Sequence, residues 1–206
     1  VGRNAYDLAD YERRSTSTEW DLIFTGRLDR GHKRLHLLLR AVASAREKGH
    51  ELDCAIVGKG PDRERLERIR GELGLESRVQ FLGYRSDIPE LLNRSRTLVM
   101  TSGWEGLPAS IVEAFACGLP VVTSDAGDVR DIVDDGENGY IVTSDEPEDL
   151  ADAIIRLLTD SDLYASLSSA AHRTGQQLKR EQREGVPAQR WSRTLERAIT
   201  PAETRE

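Results

Sequence analysis

The run TLVMTSGWEGLPASIVEAFACGLPVVTS, residues 97–124, changes its local character twice within a short length. Residues 97–102 form a nearly continuous apolar and β-branched segment, the pattern of a strand buried on both faces of a parallel sheet. Residues 103–107 are polar and rich in glycine. Pro108 then suits the first turn of a helix, and Ile111, Val112, Ala114, Phe115 and Ala116 make that helix strongly apolar. Residues 120–124, PVVTS, return to the strand pattern. A strand, a helix and a second strand in this order predict a right-handed βαβ crossover.

The same alternation extends in both directions. Upstream stand DLIFTG (21–26), LDCAIVG (52–58) and VQFLG (79–83), and downstream stands GYIVT (139–143), so six strands are expected. Leu35, Leu38, Leu39, Val42 and Ala43 recur at helical spacing, Leu66, Ile69 and Leu73 make a narrower stripe, and Leu150, Ala151, Ile154, Ile155 and Leu158 follow the helix opener Asp145-Glu146-Pro147-Glu148. The fold class is therefore α/β, a Rossmann-like, doubly wound, six-stranded parallel sheet with helices on both faces. Composition changes at both ends. Residues 1–20 read as a linker, 21–178 as the domain, and 179–206 as a tail with one helix around 189–199.

Charge and length narrow the function. The chain has 206 residues, and 29 Lys and Arg against 36 Asp and Glu give a formal net charge of −7, which argues against a bulk electrostatic grip on nucleic acid. No apolar run approaches the roughly 20 residues that cross a bilayer. The opening VGRNAYDLADYERR has neither an initiator Met nor a signal-peptide core, and reads as part of something longer. Cys54 and Cys117 sit in apolar blocks, DCAIVG and EAFACG, as buried hydrophobes would, and a reducing, cytoplasmic setting is expected.

In an open parallel sheet, ligands bind beyond the carboxyl ends of the strands. Here those ends carry Gly26-Arg27 with Lys33 six residues on, Gly58-Lys59-Gly60-Pro61, Gly83-Tyr84-Arg85, and Gly103-Trp104-Glu105-Gly106-Leu107-Pro108. Arg27, a planar fork, and Lys33, a point charge, suit the oxygens of a diphosphate. Gly58 and Gly60 serve either a tight strand-to-helix turn or close approach of a ligand to the backbone; Arg63 stands where a dinucleotide fingerprint would have its third glycine. Glu113, embedded in the apolar helix, needs a partner, which a structural arginine or the hydroxyls of a ligand could supply. The start of that helix aims free amides of residues 106–109 at the crevice.

Glu105 and Glu113 form an E-x7-E pattern. Together with G-R-L-D, Lys33, G-x-G-P, F-L-G-Y and E-A-x-A-C-G-L-P-V-V they make residues 20–160 resemble the C-terminal, donor-binding domain of family 4 glycosyltransferases, retaining enzymes of the GT-B group. Asn4-Ala5-Tyr6-Asp7 resembles that family's interdomain N-G-V-D segment. The resemblance implies that this chain is one half of a GT-B fold, and that an acceptor is bound by a missing N-terminal domain, to which the tail would return. It implies that Arg27 and Lys33 contact the donor diphosphate, Glu113 holds the ribose hydroxyls and Glu105 faces the transferred sugar. It further implies that Gly106, Leu107 and Pro108 reach sugar and phosphates, that Tyr84 and Arg85 border the base, and that Gly26, Gly58 and Gly60 line the nucleotide pocket. Arg27, Lys33 and Glu105 would then be the catalytic group. G-L-P in place of the commoner F-G after Glu105 departs from the family pattern.

The expected activity is transfer of a sugar from a UDP-, GDP- or ADP-sugar to an acceptor hydroxyl. No cofactor is expected, and no metal, since the chain has no D-x-D at a strand end and His32, His36, His50 and His172 share no ligand spacing. Membrane contact, if any, would come through the missing domain. The alternatives are a nucleotide-sugar-binding module inactive in isolation, a GT-B sugar-nucleotide epimerase, and a dinucleotide oxidoreductase. Val186, Trp191, Leu195 and Ile199 in the tail are expected to lie partly exposed or docked on a neighbour.

Overall fold

A computed structural model describes residues 8–185 apart from Arg30 and Leu107. The elements run β1 (Trp20–Thr25), α1 (Leu35–Glu47), β2 (Cys54–Val57), α2 (Arg63–Glu72), β3 (Val79–Gly83), α3 (Ile88–Asn93), β4 (Ser95–Met100), α4 (Ala109–Ala116), β5 (Val121–Ser124), β6 (Gly139–Val142), α5 (Pro147–Thr159) and α6 (Ser161–Arg183). A short 3₁₀ turn covers Gly127–Asp131 between β5 and β6. The strands form one sheet in the order β3-β2-β1-β4-β5-β6, and every pairing is parallel. The six expected strands are present in a Rossmann-like arrangement whose order reverses between β1 and β4.

Alternate residues along each strand feed two separate cores, because successive side chains point to opposite faces. Leu22, Phe24, Cys54, Ile56, Val99 and Val122 pack under α1, α2 and α5. Ile23, Ala55, Val57, Leu98, Met100 and Val121 pack under α3, α4 and α6. Both faces are covered, so near-continuous apolar strands carry no penalty. The expected stripe on α1 is wholly buried, and on α5 Leu150, Ala151, Ile154 and Leu158 are buried as well. Pro147 opens α5 where a proline's missing N–H costs nothing. Gly175 on α6 lets that helix meet α4 closely: a Cβ there would lie 2.0 Å from the Phe115 carbonyl oxygen.

Strand limits differ slightly from the expected ones. β1 and β2 stop at Thr25 and Val57, one residue early, because Gly26 and Gly58 take φ of 153° and 142° and turn the chain off the ladder. β4 starts at Ser95, which pairs with Trp20.

The ends of the expected domain also look different. The described part of residues 1–20 is strapped to the domain. Leu8 is buried and its N–H donates to Gln182 Oε1 at 3.1 Å; the Arg14 N–H donates to Asn93 Oδ1 at 2.6 Å, and Asn93 Nδ2 returns a bond to the Glu12 carbonyl at 2.8 Å. At the other end α6 continues through the expected 178/179 break to Arg183, with Leu178 and Lys179 both buried. Asn4–Asp7 and the tail residues Val186, Trp191, Leu195 and Ile199 lie outside the described residues. Among the described residues no helix is long and apolar enough to cross a membrane.

Candidate functional site

The reversal of strand order between β1 and β4 splays the following loops apart and leaves a crevice at their carboxyl ends. A cavity of about 840 Å³ occupies it. From the β1 end come Thr25, Gly26, Arg27 and Lys33; from β2, Val57, Gly58 and Lys59; from β3 and α3, Tyr84, Arg85, Ser86 and Ile88. The β4–α4 connection and α4 add Glu105, Pro108, Ala109, Ser110 and Glu113. Nine of the residues expected from sequence therefore meet in one place: Gly26, Arg27, Lys33, Gly58, Tyr84, Arg85, Glu105, Pro108 and Glu113.

Three expected residues are not among those that line it. Leu107 lies outside the described residues. Gly106 is half-buried with open space where a Cβ would stand, and it is absent from the cavity wall. Gly60 is a packing glycine, since a Cβ would sit 2.1 Å from the Leu28 carbonyl oxygen. Gly58 combines both roles that the sequence allows. It lines the cavity, and a Cβ on it would lie 1.8 Å from the Gly26 carbonyl oxygen, so the β1 and β2 ends can touch only with glycine there.

Four cations, Arg27, Lys33, Lys59 and Arg85, face two carboxylates, Glu105 and Glu113. Arg27 is open to solvent, its side chain 72% exposed and 3.7 Å from Asp29. Arg85 is tied to Asp87 by two hydrogen bonds of 2.8 and 2.5 Å, which hold the Asp87 carboxyl below its usual range. Tyr84 is 70% exposed, with the Lys59 ammonium 5.6 Å from its ring centroid. Lys59 stands inside the G-K-G turn, yet only the fold turns it to the crevice. Pro108, Ala109 and Ser110 bring the first turn of α4 to the wall, and no side chain caps that turn. An uncapped helix start with its positive dipole end toward a cavity suits an anion.

The two carboxylates are held differently. Lys33 Nζ binds Glu105 Oε1, and Ser102 Oγ donates to the same oxygen at 2.5 Å. Glu113 is half-buried on α4, and among the described residues the side chain that acts on its carboxyl is a tyrosine rather than an arginine. The Tyr11 hydroxyl approaches the carboxylate as a donor from the strap before β1. Burial pushes the Glu113 carboxyl above its ordinary range, and the Tyr11 hydroxyl pulls it partly back. Burial and then the Glu113 charge raise the Tyr11 phenol, so it stays protonated as a donor. Nothing in the sequence marks Tyr11, because only the strap brings it under α4.

Gly127 is a further residue that sequence reasoning missed. It takes φ of 58°, and a Cβ there would lie 1.6 Å from the Glu105 carbonyl oxygen, so the 3₁₀ turn packs directly on the loop that carries Glu105. Among the described residues no group of three or more His, Cys, Asp or Glu is gathered for a metal ion.

The family model for glycosyl transferases group 1 matches residues 10–174. Alpha-D-kanosaminyltransferase of Streptomyces kanamyceticus is 30% identical over 152 residues, 73% of this chain and 39% of that protein. The chain spans about two fifths of the length of the first curated relatives it matches. Among solved structures, Anabaena HepE in complex with UDP-glucose is 31% identical with a TM-score of 0.71, over 85% of this chain and 48% of that one. The C-terminal domain of the group 1 family protein LpcC from Francisella tularensis shares the fold with a TM-score of 0.72 at 21% identity. That match covers 82% of this chain and 95% of that domain.

Proposed function

The chain belongs to the glycosyl transferases of group 1, and from that premise we propose that it is the donor-binding half of a retaining, family 4 enzyme. The reaction is transfer of a sugar from a nucleoside-diphosphate sugar to an acceptor hydroxyl. The observation that carries the reading is the convergence of Arg27, Lys33, Glu105, Glu113 and the uncapped start of α4 on one cavity.

The chemistry assigns these groups. Breaking the anomeric bond builds positive charge on the sugar and negative charge on the departing diphosphate. Fixed cations and helix amides beside the phosphates stabilise that charge separation without reorganising, which is usually the largest single contribution to lowering such a barrier. Arg27 and Lys33 meet the phosphate oxygens, and the first turn of α4 adds its dipole. Glu113 accepts the ribose hydroxyls, Glu105 faces the transferred sugar, and Tyr84 and Arg85 border the base. With protein cations in these places the transfer proceeds without a metal or cofactor. The acceptor is bound by a second domain, joined through the segment before the strap and contacted again by the tail beyond α6, and the enzyme works in the cytoplasm.

A UDP-sugar is the first donor to test, because HepE, a similar structure, holds UDP-glucose; GDP- and ADP-sugars follow. Calorimetry and thermal shift on the chain are expected to detect one of the three, with binding weakened by Glu113→Ala. Absence of binding to all three, with no effect of that substitution, sinks the reading. A second reading, a nucleotide-sugar module inactive by itself, is favoured for the isolated chain by its covering about two fifths of its relatives. Measurable transfer by the chain alone overturns it.

A further inference from the structure

Glu105 reaches the cavity from a loop, the least rigid kind of platform, yet its carboxylate is fixed at one oxygen by two donors. One of them, Lys33, is itself assigned to the donor phosphates. An ammonium drawn toward a diphosphate with charge near −2 has less to give to Glu105, so the carboxylate would lose its anchor at the moment it is needed. The second donor does not have this conflict. Ser102 is fully buried at the end of β4, its hydroxyl reaches Glu105 Oε1 at 2.5 Å, and it is not part of the cavity wall.

Ser102 is also braced from behind. Arg34 takes the left-handed conformation, φ 43°, the one described non-glycine residue to do so. Its guanidinium spans the β4 end, with Nε to the Thr101 carbonyl at 3.0 Å, Nη2 to the Ser102 carbonyl at 3.1 Å, and Nη1 to Asp145 Oδ1 at 2.7 Å. Thr101 Oγ1 donates to the Lys33 carbonyl at 2.7 Å, and the Gly103 N–H donates to the His32 carbonyl at 2.8 Å. The backbones of Lys33 and Ser102 are thereby locked to each other. A left-handed non-glycine residue held by three polar contacts is strained backbone kept in place by its surroundings, as at sites that must be preorganised.

We propose that Ser102 is a positioning residue for Glu105: it pins Oε1 from the buried side, so that Oε2 stays presented to the sugar when Lys33 turns to the diphosphate. Among the described residues no hydrogen bond engages Oε2. The inference rests on the reading of Glu105 as the residue facing the sugar. It assigns no bond-making role to Ser102, which never touches the donor.

The test compares affinities of the chain for UDP, GDP and ADP with those for the matching glucose and N-acetylglucosamine nucleotides, by calorimetry, in four forms: unsubstituted, Ser102→Ala, Glu105→Ala and the double substitution. The ratio of sugar-nucleotide to nucleotide affinity is read within each form, so a change in the folded fraction cancels. Ser102→Ala is expected to lower that ratio roughly fivefold to tenfold, the size of one ordinary hydrogen bond, while plain nucleotide affinity changes less than about twofold. The double form is expected to match Glu105→Ala alone, because a residue acting only through Glu105 has nothing left to act on. Equal loss of nucleotide and sugar-nucleotide binding in Ser102→Ala, or additive losses in the double form, overturns the positioning role while leaving the donor site intact. If Glu105→Ala leaves the ratio unchanged, or no nucleotide binds at all, the reading of the site fails first and the role of Ser102 falls with it.

Discussion

Glu105 and Glu113 stand close in sequence and share one cavity, yet one is held by charge and the other by burial. Glu105 has an ammonium and a hydroxyl on a single oxygen. Glu113 has a desolvating helix face and a single phenol. The first arrangement fixes one carboxylate oxygen in place, and the second opposes the ionised form of its carboxyl. A charged acceptor that is costly to keep desolvated gains most when a ligand brings it hydroxyl donors. Under the proposed function, burial readies Glu113 for the ribose hydroxyls, whereas pairing holds Glu105 still.

Removing Lys33 is the strongest way to break this contrast. Both side chains are largely covered, 19% and 16% exposed, so Lys33→Ala leaves Glu105 with a desolvated charge and only Ser102. The folded state is expected to lose about 1–3 kcal/mol by denaturant unfolding, and nucleotide affinity roughly tenfold or more. Adding Glu105→Ala should restore part of the stability and none of the affinity. Equal stability of Lys33→Ala and the parent chain would mean that the pair is not formed in solution.

Glu113→Gln should act on stability with the opposite sign. A carboxyl whose folded pKa is raised contributes stability below the ordinary carboxylate range, and that contribution is lost as pH rises through the raised value. At neutral pH the ionised group costs stability, so the glutamine form is expected to melt higher there, with the gain vanishing below about pH 4. Its affinity for a ribonucleotide should fall roughly fivefold to tenfold, since an amide accepts fewer hydrogen bonds from a diol than a carboxylate does. A lower melting temperature at pH 7 would contradict the burial account.

The fold is legible in the sequence because parallel strands buried on both faces give near-continuous apolar runs, and covering helices give stripes. The strand-end glycines and charges are legible for the same reason, since topology says where strand ends go. Which side chain holds which is not legible. Lys33 and Glu105 are 72 positions apart, and their motifs point to phosphate and sugar as separate contacts, whereas in the fold they bind each other. Ser102 reads as no more than the last polar residue of a strand. Gly60 reads as a pocket turn, although a neighbouring loop's carbonyl sets its identity. Gly127 belongs to a 3₁₀ turn that no apolar period announces, and it supplies a narrower probe of the Glu105 side. Gly127→Ala would press a Cβ on the Glu105 carbonyl from a left-handed backbone. It is expected to cost about 1–2 kcal/mol in conformation alone, and to lower sugar-dependent binding while sparing the Glu113-dependent part. Unchanged sugar dependence would show that the loop relaxes without moving its carboxylate.

Tyr11→Phe makes the smallest change and isolates the burial-held carboxylate most cleanly. It removes one oxygen from a strap otherwise fixed by Leu8, Arg14 and Asn93, so the packing of the ring on the core is preserved. The Tyr11 hydroxyl lowers the Glu113 pKa against the larger effect of burial. Without it the carboxyl moves further up. If the ribose diol needs the ionised form, affinity for UDP strengthens as pH rises through that pKa, and the midpoint of the rise shifts to higher pH in the phenylalanine form. Well above the midpoint, where Glu113 is ionised in both, the two forms should differ only a few-fold. The 2′-deoxy nucleotide, which offers Glu113 one hydroxyl fewer, should show a weaker pH dependence in both. A midpoint that stays in place in Tyr11→Phe would mean that burial alone governs Glu113, and that the strap before β1 has no influence on the donor site.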